Sequence, residues 1–140
     1  MGYKFFVIGF ISVTMLTACS TSSVPATEAK FAPHNRVLKY QIPTETTLTI
    51  VRDKGLTGSG CNATIFINGA IVAKLKTGEK ATFYLSEGEW VVGSSLESSG
   101  LCALNPSRME REVKLNNGDT KKYRVYTSWD GTMDLLPTTL

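Results

Sequence analysis

Residues 37–140 are predicted to form an all-β domain, a small antiparallel β-sandwich of about seven strands, and three observations carry that prediction. Short apolar segments recur with turn residues between them, and no stretch shows a helical period. Ala81, Phe83 and Leu85 alternate with Lys80, Thr82 and Tyr84, which puts one face of that segment in a core and the other nearer water. A chain of about a hundred residues is enough for one core and too short for two.

The elements follow in order. A strand is expected from Thr46 to Asp53, then a pair, Ala63 to Asn68 and Ala70 to Lys76, joined at Asn68-Gly69, a type I′ hairpin signal. Thr77-Gly78 marks the turn into a strand from Lys80 to Leu85, and Glu87-Gly88 the turn into Glu89 to Ser95. Strands from Arg108 to Leu115 and from Thr120 to Thr127 flank Asn116-Asn117-Gly118-Asp119, and a terminal piece runs around Thr132 to Leu136. Two antiparallel sheets packed face to face are the natural solution.

Two hairpins carry finer expectations. A regular two-residue turn at Asn68-Gly69 places Ala63, Ile65, Ile67, Ala70 and Val72 on one face and Phe66, Ile71, Ala73 and Leu75 on the other. Both faces are then apolar. One meets the second sheet, and the other is either capped by loops and chain ends or is an interaction surface. For Arg108 to Thr127, a three-residue loop with Gly118 in the left-handed region makes the charged faces coincide. Leu115 then pairs with Asp119, Glu112 opposes Lys122, and Glu110 opposes Arg124.

The first 36 residues have a different composition. Met1 to Lys4 is a short cationic start, Phe5 to Ile11 an apolar run, and Leu16-Thr17-Ala18-Cys19 closes the segment. A spanning helix needs about 20 consecutive apolar residues, whereas Ser12, Thr14 and Thr17 interrupt this run. Phe6 stands where a myristoylation pattern requires Ser or Thr. Leu16 to Cys19 resembles the bacterial lipobox, in which the Cys is acylated and becomes the new N-terminus. The resemblance implies a signal peptide over 1–18, lipidation at Cys19 and a membrane as partner through the lipid. Residues 19–36, rich in Ser, Thr, Ala and Pro, read as a flexible tether. In a host with two membranes, Ser20 after the Cys resembles the pattern of lipoproteins forwarded to the outer membrane, facing the periplasm.

Setting Cys19 aside leaves Cys61 and Cys102, an even pair in an exported chain, for which a disulfide is expected. Two cysteines this far apart with a single distant histidine do not make a zinc site, so no metal and no cofactor is expected. The formal charge is +3, and losing Lys4 with the signal leaves +2, too little to argue for nucleic acid.

Catalytic motifs are missing by elimination. Triad chemistry needs an imidazole beside a nucleophile, and the only histidine, His34, lies in the predicted tether. Asp53, Glu79, Glu87, Glu89, Asp119 and Asp130 sit at predicted turns and strand ends, where carboxylates are commonplace. Gly55 to Gly60 lacks the Lys-Ser/Thr ending of a phosphate loop and reads as a mobile loop leading to Cys61. Tyr84, Trp90, Tyr126 and Trp129 are candidate binding aromatics for sugar or peptide, with packing the competing fate of Trp90.

Ala63-Thr64-Ile65-Phe66-Ile67-Asn68-Gly69, Ile71 to Gly78, and Ala81 to Trp90 together resemble the signature of PEGA-type domains and related envelope lipoprotein domains. Ser86-Glu87 replaces the usual Pro-containing corner. The general layout is similar to that of small uncharacterised enterobacterial lipoproteins. These resemblances imply a β-sandwich at the cell envelope and bring no catalytic residues. The expectation is a lipid-anchored, non-enzymatic binding or structural module, with an envelope protein or glycan as partner. The alternative is an inhibitor or immunity-type protein that presents the loop from Glu97 to Pro106 to an incoming enzyme.

Overall fold

The computed structural model describes residues 21–104 and 107–140. The signal segment and Cys19 lie outside them. Nine strands are present among the described residues: β1 (Lys30–Phe31), β2 (Thr47–Arg52), β3 (Ala63–Ile67), β4 (Ala70–Leu75), β5 (Glu79–Tyr84), β6 (Gly88–Leu96), β7 (Met109–Leu115), β8 (Thr120–Thr127) and β9 (Met133–Pro137). They form a five-stranded sheet, β1-β5-β2-β8-β9, and a four-stranded sheet, β4-β3-β6-β7. The core between the sheets holds Leu48, Ile50, Ala81, Phe83 and Val125 from the first, and Ile65, Ile67, Leu75, Val92 and Val113 from the second. The all-β sandwich is as expected, and every anticipated strand has a counterpart.

The sheets are not both antiparallel. β2 runs parallel to β8, and β1 runs parallel to β5, so the larger sheet is mixed. This overturns the hairpin expected between Arg108 and Thr127. β7 pairs with β6, and β8 pairs with β2 and β9. Residues 116–119 therefore carry the chain from one sheet to the other. The Asp119 carbonyl accepts from the Thr47 N–H, and the Gly118 N–H donates to Thr46 Oγ1, which sets the start of β8 beside the start of β2. Glu112 lies opposite Val91 and Glu110 opposite Gly93, while Arg124 pairs with Asp53 instead. Charge matching between two exposed faces contributes only about 0.2–1 kcal/mol per pair, less than burying the apolar faces of both strands in separate sheets.

The Asn68-Gly69 turn forms as predicted, with φ of 48° and 77°. The faces of its hairpin do not. A bulge between Ile65 and Phe66 leaves Val72 as the extra residue, so that Phe66 pairs with Ile71 but Ile65 pairs with Ala73. The slip turns Ala73 and Leu75 inward beside Ala63 and Ile65, and all four are buried. Only Phe66 and Ile71 remain as large apolar side chains on the outer surface, where the guanidinium of Arg108 sits 4.6 Å from the Phe66 ring centre.

The expected tether is also corrected over the residues described. Ser22 forms a backbone bridge with Lys54, Val24 and Ala29 pack on Val51, and β1 adds to the edge of β5. Val51 points away from the main core and needs a cover. Val24 and Ala29, with the partly buried Ala26, supply it.

Gly118 has φ of 78°, a region that a β-branched residue enters only with strain. Gly118→Val is expected to destabilise the domain by about 1–2 kcal/mol, and Glu112→Ala by less than about 0.5 kcal/mol, measured by urea unfolding.

Candidate functional site

The wrap of residues 22–38 builds a groove against the outer face of β5. Ala32 donates its N–H to the Lys80 carbonyl (2.9 Å), and Leu38 donates to the Val72 carbonyl (2.8 Å). Between these fixings the chain makes a short 3-10 turn, His34–Arg36. Arg36 clasps it down: the guanidinium forms a two-pronged pair with Glu79 (2.7 and 2.6 Å) and donates to the Lys74 carbonyl (2.9 Å). Burial raises the Glu79 pKa, but the Arg36 hydrogen bonds, the Lys76 amide and the Arg36 charge outweigh it, holding the carboxyl below its ordinary 4.5.

The resulting cavity, about 330 Å³, is lined by Phe31, His34, Val37, Gln41, Lys80, Thr82 and Tyr84 among others. Lys80 lies 4.3 Å from the Phe31 ring centre and donates to the Ala26 carbonyl (2.5 Å), so its ammonium is held over an exposed aromatic face. Gln41 donates to the Thr82 carbonyl (3.0 Å), leaving its amide oxygen available. The groove thus offers two aromatic surfaces, a cation, an imidazole and an amide.

A second hollow, about 360 Å³, lies on the outside of the other sheet between Phe66, Ile71, Lys74, Glu97 and Arg108. Its polar members are already engaged. Glu97 accepts from Lys74 (2.8 Å) and from Asn62 (2.9 Å), contacts that keep its pKa low.

The partly buried carboxylates are held by cations. Asp53, almost fully buried, bonds Arg124 through Nε (2.8 Å) and Nη2, and Asp134 bonds Arg111 (3.1 and 2.5 Å). Burial raises the Asp53 pKa, against the lowering from Arg124 and the Val24 amide. Asp119 caps its turn by accepting from the Asn116 N–H (2.8 Å), and Asp130 accepts from the Thr132 N–H (2.9 Å). Glu87 and Glu89 are exposed. These arrangements assign Asp53, Glu79, Asp119 and Asp130 to holding the fold.

The four aromatics singled out from the sequence are not gathered into one platform. Tyr84 lines the groove. Trp90 meets Tyr40 edge-on at 5.7 Å, packs on the core and donates from Nε1 to the Ser86 carbonyl (3.1 Å). Tyr84 pairs with Thr47 at one end of β2, whereas Tyr126 lies beyond Val125, the partner of Arg52 at the other end. At about 3.3 Å per residue the two are roughly 20 Å apart. Trp129 stands exposed in the turn between β8 and β9. Phe31 escaped the sequence reading because residues 19–36 were taken for tether, and without that wrap nothing marked Gln41, before the first strand, or Lys80, on the outer face of its strand, as neighbours of a groove. The available signal was Val51, an apolar residue on the outward side of β2. The Cys61–Cys102 disulfide is formed. No group of metal-binding side chains occurs among the described residues.

No protein-family model, curated protein or solved structure matches this chain.

Because the Glu79 pKa is lowered on folding, its contribution to stability is complete above its unfolded value near 4.5 and is lost as pH falls through the folded value. Glu79→Gln is expected to cost about 1–3 kcal/mol at pH 7 and to flatten the fall in stability between pH 5 and pH 3, read from urea midpoints across about that range.

Proposed function

We propose that the chain is a lipid-anchored lipoprotein of the cell envelope whose sandwich is a non-enzymatic binding module, with the groove beside β5 as its ligand site. The observation that carries the binding role is the pairing in one cavity of the exposed Phe31 ring and the half-buried Tyr84 with Lys80 and the Gln41 amide. Flat rings with flanking hydrogen-bonding groups suit a sugar ring or an extended peptide. The anchoring role rests on Leu16 to Cys19, and the resemblance of Ala63 to Trp90 to PEGA-type domains agrees with an envelope location. An outer-membrane destination follows from Ser20 where the host has two membranes. The inhibitor reading draws on the exposure of Leu101 and Leu104 beside the Cys102 disulfide, which placement of that loop against a membrane accounts for equally well.

Cys19→Ser is expected to leave unprocessed precursor or soluble protein, and a normally processed, membrane-bound Cys19→Ser protein contradicts the anchor. For the groove, nuclear magnetic resonance titration with solubilised envelope glycan fragments and with envelope-derived peptides is expected to shift Phe31, Gln41 and Tyr84. Tyr84→Ala should weaken that binding about tenfold, or 1.4 kcal/mol. Shifts elsewhere only, or none at millimolar ligand, contradict the groove.

A further inference from the structure

One pole of the sandwich collects the loops that leave β2, β6 and β8. Arg52 donates to the Gly58 and Cys61 carbonyls, and Cys61 is bonded to Cys102. A side chain at Gly58 would meet Leu96 and Thr127, the last residues of β6 and β8. Three loops therefore share one node. The large apolar residues they carry point outward: Leu56 is 79% exposed, Leu101 86%, Leu104 83% and Trp129 87%. Each lies within a few residues of that node. Four such residues at one end, with exposures this high, are a cluster that a water-facing surface does not need.

The N-terminal segment is fixed at the same pole. Ser22 exchanges backbone hydrogen bonds with Lys54, two residues past the end of β2, at 2.6 and 3.0 Å. Cys19 precedes Ser22 by three residues, and at about 3.6 Å per residue the chain between them spans at most about 11 Å. We propose that this pole docks on the lipid bilayer, with Leu56, Leu101, Leu104 and Trp129 seated in the membrane interface and the domain held upright against the surface. The proposal rests on acylation of Cys19. An acyl chain entering the bilayer within about 11 Å of Ser22 brings the exposed loops to the headgroup layer, where apolar side chains of interfacial segments bury about 5–10 Å deep. A tryptophan at the tip suits that layer, since its ring is apolar and its N–H polar. Exposed Lys54 and Lys76 lie at this end of β2 and β4, placed to meet anionic headgroups. The disulfide and Arg52 hold the loops in a fixed arrangement, so little ordering entropy opposes docking.

The test uses the full acylated protein in vesicles of phosphatidylethanolamine and phosphatidylglycerol, with and without acyl-brominated lipid as quencher. Trp90 and Trp129 are the two tryptophans, so Trp129→Phe isolates the packed one. Brominated lipid is expected to quench the wild-type protein at least twofold more than Trp129→Phe. The triple variant Leu56→Ser, Leu101→Ser, Leu104→Ser changes exposed side chains only. It should still float with the vesicles but lose most of the Trp129 quenching. Protein that floats, yet shows Trp129 unquenched by brominated lipid, overturns docking and leaves the anchor standing. That holds equally where iodide cannot reach Trp129, which would assign the pole to contact with a second copy of the chain. Protein that carries no acyl chain and does not float overturns the anchor and the docking together.

Discussion

Arg52 is the largest side chain fully buried between the sheets, 1% exposed, and no carboxylate pairs with it directly. Its guanidinium donates to carbonyl oxygens of Gly58 (2.8 Å), Cys61 (2.5 Å) and Leu75 (2.7 Å), joining β2, the loop before β3 and the end of β4. Desolvation lowers its pKa to about 10, with the charge of Glu79 acting in the opposite sense. Burying an unpaired cation costs several kcal/mol, so the position is tolerable only because three carbonyls are turned toward it. The Gly58 carbonyl also accepts from the Cys61 N–H (3.0 Å), so the guanidinium reinforces a turn that the backbone itself begins. Loop and guanidinium thus need each other, and the Gly-rich stretch from Gly55 to Gly60 is shaped rather than free.

From that node the functional geometry follows. Beside Arg52, Asp53 binds Arg124, and Lys54 receives Ser22, so the strand end that organises the loops also fixes where the N-terminal segment begins to wrap. The wrap covers Val51, reaches the edge of β5 and is clasped by Arg36 on Glu79, which opens the groove at Phe31 and Tyr84. The Cys61–Cys102 bridge, spanning 41 residues, limits the unfolded chain by about 4 kcal/mol on the chain-entropy account and ties the third loop to the node. Binding groove and anchored pole are therefore consequences of one local solution at the end of β2.

The strands and tight turns were legible because their signals are local: the alternation of Ala81, Phe83 and Leu85, the left-handed pair Asn68-Gly69, and Gly118. Strand pairing was not. β8 has the same alternation whether it pairs with β7 or with β2, and the choice is made by long-range contacts such as the bonds from Gly118 N–H to Thr46 Oγ1 and from Thr47 N–H to the Asp119 carbonyl. The bulge at Ile65 was hidden because a period of two gives no warning of an inserted residue, although two apolar faces on one hairpin were its trace. Of the candidate site, Tyr84 was found from the sequence, and its partners Phe31, Gln41 and Lys80 were not. Small residues such as Ala29 and Ala32 bury well but read as linker composition.

Equilibrium urea unfolding of Arg52→Met with the disulfide intact tests the central dependence most directly. Methionine keeps an unbranched side chain but removes every guanidinium donor, so the hydrogen bonds to the Gly58, Cys61 and Leu75 carbonyls are lost and the Gly58 carbonyl retains only its bond from the Cys61 N–H. The account predicts a loss of about 2–4 kcal/mol. A loss under about 1 kcal/mol, with the amides of residues 55–61 exchanging no faster than in the wild-type protein, would show that the loop holds its shape without the guanidinium.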